Sequence, residues 1–295
     1  MGSATDGWMM LHFGGGYFDM RLMLLSYVVA TFASYTALTM VDRVARESDR
    51  SAHKWLVVGS FVMGIGIWSM HFVGMLAFSM DMPFSYDIGL TVFSLFIGVI
   101  CSLFAIYAAS REDVGWSRLI GGGLLLGPGI AGMHYSGMAA MEMPAALDYD
   151  PFLFVLSVVI AIVASIAALW IATSLKKSHS NVELLKIGGA LVMGIAICGM
   201  HYTGMAAAIY LPTPHAGTEV VETPDNGWLA VLLAIATIGI LGLTLVLSFL
   251  EKKSRSAEQV NLEAGTGSPL VAGSVHRAVK GSAVSNTVIK PVDAA

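Results

Sequence analysis

Apolar residues come in seven long runs separated by short polar stretches, at 20–41, 55–79, 88–109, 119–141, 152–175, 187–210 and 228–250. About 20 apolar residues cross a bilayer as a helix. The pattern therefore predicts an all-α integral membrane protein with seven transmembrane helices. Residues 1–19 form an outer N-terminal segment, 20–250 the seven-helix membrane domain and 251–295 a cytoplasmic tail. The tail is rich in Gly, Ser, Ala and Val without a periodic apolar face, so it reads as disordered. Its 45 residues are too few for a typical catalytic output domain.

Composition excludes a soluble fold. Hydrophobic residues make up 56% of the 295, charged residues 12%, and the mean hydropathy is +0.74. Residues 1–19 hold no Lys or Arg but do hold Asp6 and Asp19, which is not a secretory signal, so the first helix stays in the mature chain. Charge then sets the orientation. Arg43, Arg46, Arg50, Lys54, Arg111, Arg118, Lys176, Lys177, Lys186 and the tail's six basic residues share one side, fifteen of the sixteen, with Arg21 the exception. By the positive-inside rule the N-terminus is outside and the C-terminus cytoplasmic. Cys101 and Cys198 lie at different depths and read as apolar fillers rather than a disulfide.

Three near-copies of one phrase break the apolar runs. They are Ser69-Met70-His71-Phe72-Val73-Gly74-Met75, Gly132-Met133-His134-Tyr135-Ser136-Gly137-Met138 and Gly199-Met200-His201-Tyr202-Thr203-Gly204-Met205. His71 to His134 is 63 residues and His134 to His201 is 67, two spans per unit. An aromatic-acid step opens each odd helix: Phe18-Asp19, Tyr86-Asp87 and Tyr149-Asp150. The chain is thus read as three parallel two-helix repeats plus a final helix. The outer aspartates are expected to be helix N-caps rather than metal ligands.

Depth and facing both group the histidines. Lys54 to His71 is 17 residues, Arg118 to His134 is 16 and Lys186 to His201 is 15. At 1.5 Å per residue all three reach roughly 22–26 Å above the inner interface, one plane in the outer third. On a helical wheel Met75, Met138 and Met205 share the histidine face, and Met70, Met133 and Met200 lie on a flank. Gly64, Gly127 and Gly194, and again Gly74, Gly137 and Gly204, also lie on that face, which lets another helix backbone approach. Of the 18 methionines, ten lie in or just beyond the motifs, including Met80, Met82, Met141 and Met143. Imidazole with thioether suits a soft metal, copper above all. The proposed metal ligands are His71, His134 and His201, with Met75, Met138, Met205, Met70, Met133 and Met200 as candidate thioether donors. The tyrosine after two of the histidines is either interfacial packing or a hydrogen-bond donor to a ligand.

These phrases resemble the motif of the MHYT domain family of integral membrane sensor domains, the first differing by Phe72 in place of tyrosine. The resemblance covers about residues 20–250. It implies a bacterial inner-membrane sensor that binds copper and through it oxygen, carbon monoxide or nitric oxide. Family members are often fused to cyclic-di-GMP synthase or phosphodiesterase domains. Here output would pass to a separate cytoplasmic signalling protein, and no nucleic-acid partner is expected.

Other readings compete. Copper transport or delivery is favoured by the Met-rich outer side, but no His, Asp or Glu lies in the inner half of the spans to continue a path. A three-histidine zinc hydrolase needs a general acid or base. The spans contain no Asp, Glu or Lys, so the chain is read as not an enzyme. Paired histidines holding a haem are a further alternative.

Overall fold

The computed structural model describes residues 10–13, 16–47, 49–79, 84–111, 114–176, 181–212 and, with breaks at 230, 241, 244 and 245, 228–246. Residues 1–9, Met80 and Met82 and the tail at 251–295 lie outside the described residues. Six long helices follow one another: α1 (Met20–Arg46), α2 (Asp49–Leu76), α3 (Ile88–Ser110), α4 (Trp116–Ala139), α5 (Pro151–Lys176) and α6 (Val182–Ala207). A shorter apolar helix, α7, covers Val231–Ile240. Helices α1, α2, α3, α5 and α6 are long and apolar enough to cross a membrane. Helix α4, expected as a span, is not among those five. Its seven glycines, Pro128 and Arg118 dilute its hydropathy, although its 24 residues match its neighbours in length.

The six helices close into a ring, each packed on the next and α6 back on α1, while α2, α4 and α6 also touch one another across the middle. The outer faces of α3 and α5 expose Phe93, Phe96, Phe104, Phe152, Val155 and Val163. Such surface suits lipid and would be anomalous in water.

A pseudo-threefold pattern runs through the contacts. The amides of Asp19, Asp87 and Asp150 donate to the carbonyls of Ala77, Ala140 and Ala207, each at 2.8 Å, tying the start of each odd helix to the end of the even helix that follows it. The aspartate carboxylates accept from Arg21, Leu90 and Leu153 amides at 2.7, 2.6 and 2.8 Å, so they are N-caps. A Cβ on Gly64, Gly127 or Gly194 would overlap Val99, Ile162 or Thr31, which brings each even helix against the next odd one.

Two features depart from the sequence expectations. Seven short strands join the helices: β1 (Met10–Phe13), β2 (Gly16–Asp19), β3 (Phe78–Ser79), β4 (Ser85–Tyr86), β5 (Met141–Glu142), β6 (Ala145–Tyr149) and β7 (Ala208–Pro212). They pair antiparallel as β1–β2–β3, β4–β5 and β6–β7, again linking the start of an odd helix to the end of an even one. Strands of two to five residues are too short to print a period-two pattern. Secondly, α1 runs to Arg46 and α6 begins at Val182, so Asp42, Glu183 and Lys186 lie within helices. Lys186 is only 1% exposed, and its Nζ is 3.7 Å from the Asp42 carboxylate, which also accepts from Arg46 at 2.9 Å. This end of the helices is therefore not free of charge, as the shorter spans had implied. Nearby the Tyr35 hydroxyl donates to Glu183, so the α1–α6 seam is held by polar pairs.

Candidate metal centre

His71 on α2, His134 on α4 and His201 on α6 meet at the middle of the ring, 0%, 0% and 1% exposed. Their Nδ1 atoms form a nearly equilateral triangle with sides of 3.2 Å (His71–His201), 3.1 Å (His134–His71) and 3.2 Å (His201–His134). The rings stand close to perpendicular, at 80–88° to one another. Among the described residues these three form the one cluster of His, Cys, Asp or Glu with ligand geometry.

That geometry has a chemical consequence. Three neutral imidazoles cannot all place an Nδ1 hydrogen at one point. With the hydrogens on Nε2 instead, three lone pairs converge and repel, which a cation would relieve. Three donors each about 2.0–2.1 Å from one ion are about 3.6 Å apart when planar with it and closer when pyramidal, so the observed spacing suits a pyramidal donor set. The three histidines could thus hold one metal ion.

Glycine sets the ring positions. A Cβ on Gly74 would collide with Nε2 of His201, on Gly137 with that of His71, and on Gly204 with that of His134. Each motif glycine makes room for the histidine of another repeat, in a closed cycle of three. The Nε2 atoms themselves are buried with no protein hydrogen-bond partner. A ligating histidine is usually oriented by an acceptor at its other nitrogen; here steric fit against the glycines takes that part.

Outside the triangle lies a layer of aromatic rings. Phe72 packs edge-on against Tyr86, Tyr135 against Tyr149 and Tyr202 against Phe18, with centroids 5.4, 5.1 and 5.7 Å apart. The tyrosine hydroxyls turn away from the histidines to serines: Tyr135 to Ser157 at 2.6 Å and Tyr202 to Ser26 at 2.9 Å. Phe72 has no hydroxyl, and the third serine, Ser94, instead accepts from Trp68 Nε1 at 3.1 Å. Sequence reasoning missed these serines and Trp68. The available signal was a serine seven residues after each outer aspartate. Burial pushes the Tyr86 and Tyr149 phenols up and that of Tyr210 to about 12, so this layer stays uncharged.

All six motif methionines are buried. Met70 packs with Val29, Ala30 and Cys198, and Met200 with Ala131 and Ala161, while Met75, Met133, Met138 and Met205 belong to the main core. Cys101 and Cys198 are free thiols. Glu142, eight residues past His134, accepts from Ser85 Oγ at 3.2 Å between β5 and β4.

The MHYT family, described as "Bacterial signalling protein N terminal repeat", matches residues 64–122 and 127–182. The chain is 47% identical over 243 residues to the bifunctional diguanylate cyclase/cyclic di-GMP phosphodiesterase MucR of Pseudomonas aeruginosa, covering 82% of this chain and 35% of that one. It is 40% identical to the signaling protein YkoW of Bacillus subtilis, over 65% of this chain and 24% of that one. To the cyclic di-GMP phosphodiesterase NbdA of P. aeruginosa it is 39% identical, over 82% and 31%. The chain thus spans about a third or less of the length of these curated relatives. No solved structure matches. With repeats of that type matched and the histidines of three such phrases gathered at one point, the chain belongs to the MHYT family of bacterial signalling proteins.

Proposed function

We propose that this chain is the membrane sensor domain of a signalling system, holding one copper ion through His71, His134 and His201. The single observation carrying this reading is the buried Nδ1 triangle of 3.1–3.2 Å, which no acid joins among the described residues. Copper is preferred over zinc because thioethers accompany the imidazoles, with Met75, Met138 and Met205 on the histidine face and Met70, Met133 and Met200 on its flanks. Bound copper would supply a redox-active centre, and the signal is a diatomic gas (oxygen, carbon monoxide or nitric oxide) or redox state. The helices act as two-state elements: a change at the triangle is felt at once by α2, α4 and α6.

The chain itself is proposed to be non-enzymatic: among the described residues no carboxylate joins the histidine cluster. It spans the bacterial inner membrane seven times as three helix pairs and a final helix, with the N-terminus outside. Output passes to cyclic-di-GMP machinery or another cytoplasmic signalling protein, a reading supported by the similarity to the cyclic di-GMP enzymes MucR and NbdA. Metal analysis with optical and EPR spectra on detergent-purified protein tests the centre. Copper signals that respond to nitric oxide and vanish in a triple His→Ala variant are expected. Haem bands, or copper retained in the triple variant, would refute the reading.

A further inference from the structure

We propose that the interior of the helix ring, on the opposite side of the histidines from the aromatic layer, is a binding site for a small apolar molecule of the size of xenon or a diatomic. A cavity of about 100 Å³ lies there, lined by all six long helices. Its shape follows from the repeat. The even helices contribute Ile67, Ile130 and Ile197, each four residues before a histidine, and the odd helices contribute Ala37, Ala105 and Ala168 at equivalent positions. An alanine on every odd helix leaves space that large side chains from the even helices do not fill. Interiors are normally packed nearly without voids, so a space recurring on a threefold pattern calls for an occupant.

The wall chemistry selects that occupant. Among the described residues, two serines, Ser102 and Ser165, and the Cys101 thiol are the only polar side chains of the lining. Ser102 already donates to the Gly98 carbonyl at 2.8 Å. A buried water needs two to four polar partners, whereas an apolar cavity of about 150 Å³ stays dry and takes up benzene or xenon. This cavity is smaller, which excludes benzene-sized guests and admits single atoms and diatomics. The three isoleucines stand about 6 Å, one helical turn, before the histidines. They separate the cavity from the triangle along the even helices. That the guest goes on to a metal rests on the function proposed above; that it binds in the cavity does not.

Xenon titration of the full chain in detergent, followed by 129Xe NMR, reads the cavity without reference to metal. A saturable shift is expected for the wild type and at least a tenfold weaker affinity for Ala105→Leu. In metal-loaded protein, Ala105→Leu should keep its metal content yet bind nitric oxide at least tenfold more slowly, while Ile130→Ala should bind it faster. If Ala105→Leu does not fold, Ala168→Leu and Ile130→Ala carry the same comparison. No saturable xenon shift in the wild type, or unchanged nitric oxide rates in the filled and opened variants, would overturn the proposal. A protein that takes up xenon but holds no metal would refute the sensor centre and leave the cavity site standing.

Discussion

Nε2 of His201 lies where a side chain on Gly74 would begin. The two residues belong to different repeats, and the same relation joins His71 to Gly137 and His134 to Gly204. A histidine therefore reaches the triangle only because another repeat lacks a Cβ.

This relation makes glycine-to-alanine changes diagnostic. Alanine ordinarily favours a helix over glycine by about 0.5–1 kcal/mol. At Gly74, Gly137 or Gly204 the added carbon must displace an imidazole in a packed interior, and overpacking costs about 1–3 kcal/mol. At Gly132 and Gly199, two residues before their histidines, a Cβ meets nothing within 4 Å. G74A, G137A and G204A should lower thermal stability and metal content, and G132A and G199A should lower neither. Equal behaviour of the two groups, measured by melting in detergent and metal analysis, would count against the glycine cradle.

Much of this was legible in the sequence. Similar distances from the last basic residue before each motif, 17, 16 and 15 residues, put the histidines near one depth, and the wheel put glycines on their face. The partner of each glycine was not legible. The first set, Gly64, Gly127 and Gly194, meets the neighbouring odd helix as expected of a backbone approach, but the second set meets an imidazole of another repeat. Which repeat cradles which depends on the hand of the ring, and one-dimensional periodicity carries no hand. Lys186 reads as a loop-edge residue in the sequence because charge ends a hydropathy run. Burial of its pair with Asp42 depends on α1 meeting α6, a long-range contact.

Trp68 stands in for the hydroxyl missing at Phe72. It donates to both the Thr91 carbonyl and Ser94 Oγ at 3.1 Å. Trp68→Phe removes both bonds, each worth about 0.5–1.5 kcal/mol, besides lost packing, while the Ser94 hydroxyl still donates to the Thr91 carbonyl at 2.8 Å. Adding Phe72→Tyr would restore the tyrosine–serine pairing seen at Tyr135 and Tyr202 and recover part of that loss. A double variant no more stable than Trp68→Phe alone would show that Ser94 does not serve as the third equivalent of Ser26 and Ser157.

The Lys186–Asp42 pair closes the ring at one seam only. Positions fifteen residues before the other histidines are Leu56 and Leu119. Removing one member of a buried ion pair usually costs more than replacing both by apolar residues. Asp42→Asn removes the carboxylate 3.7 Å from the buried Lys186, whereas Lys186→Met leaves Asp42, the more exposed of the two, with Arg46. The first should destabilise more than the second, and Asp42→Leu with Lys186→Leu should lie closer to wild type than Asp42→Asn. Reversal of that order in melting experiments would rule out a compensated buried pair.

Metal stoichiometry in single-histidine variants tests the central claim most directly. A triangle of 3.1–3.2 Å belongs to one shared site. Purified wild type should hold one copper per chain, and His71→Ala, His134→Ala and His201→Ala should each lose most of it, all three alike. About three ions in the wild type and two in each variant would mean separate sites, and full occupancy in any single variant would contradict the shared three-histidine centre.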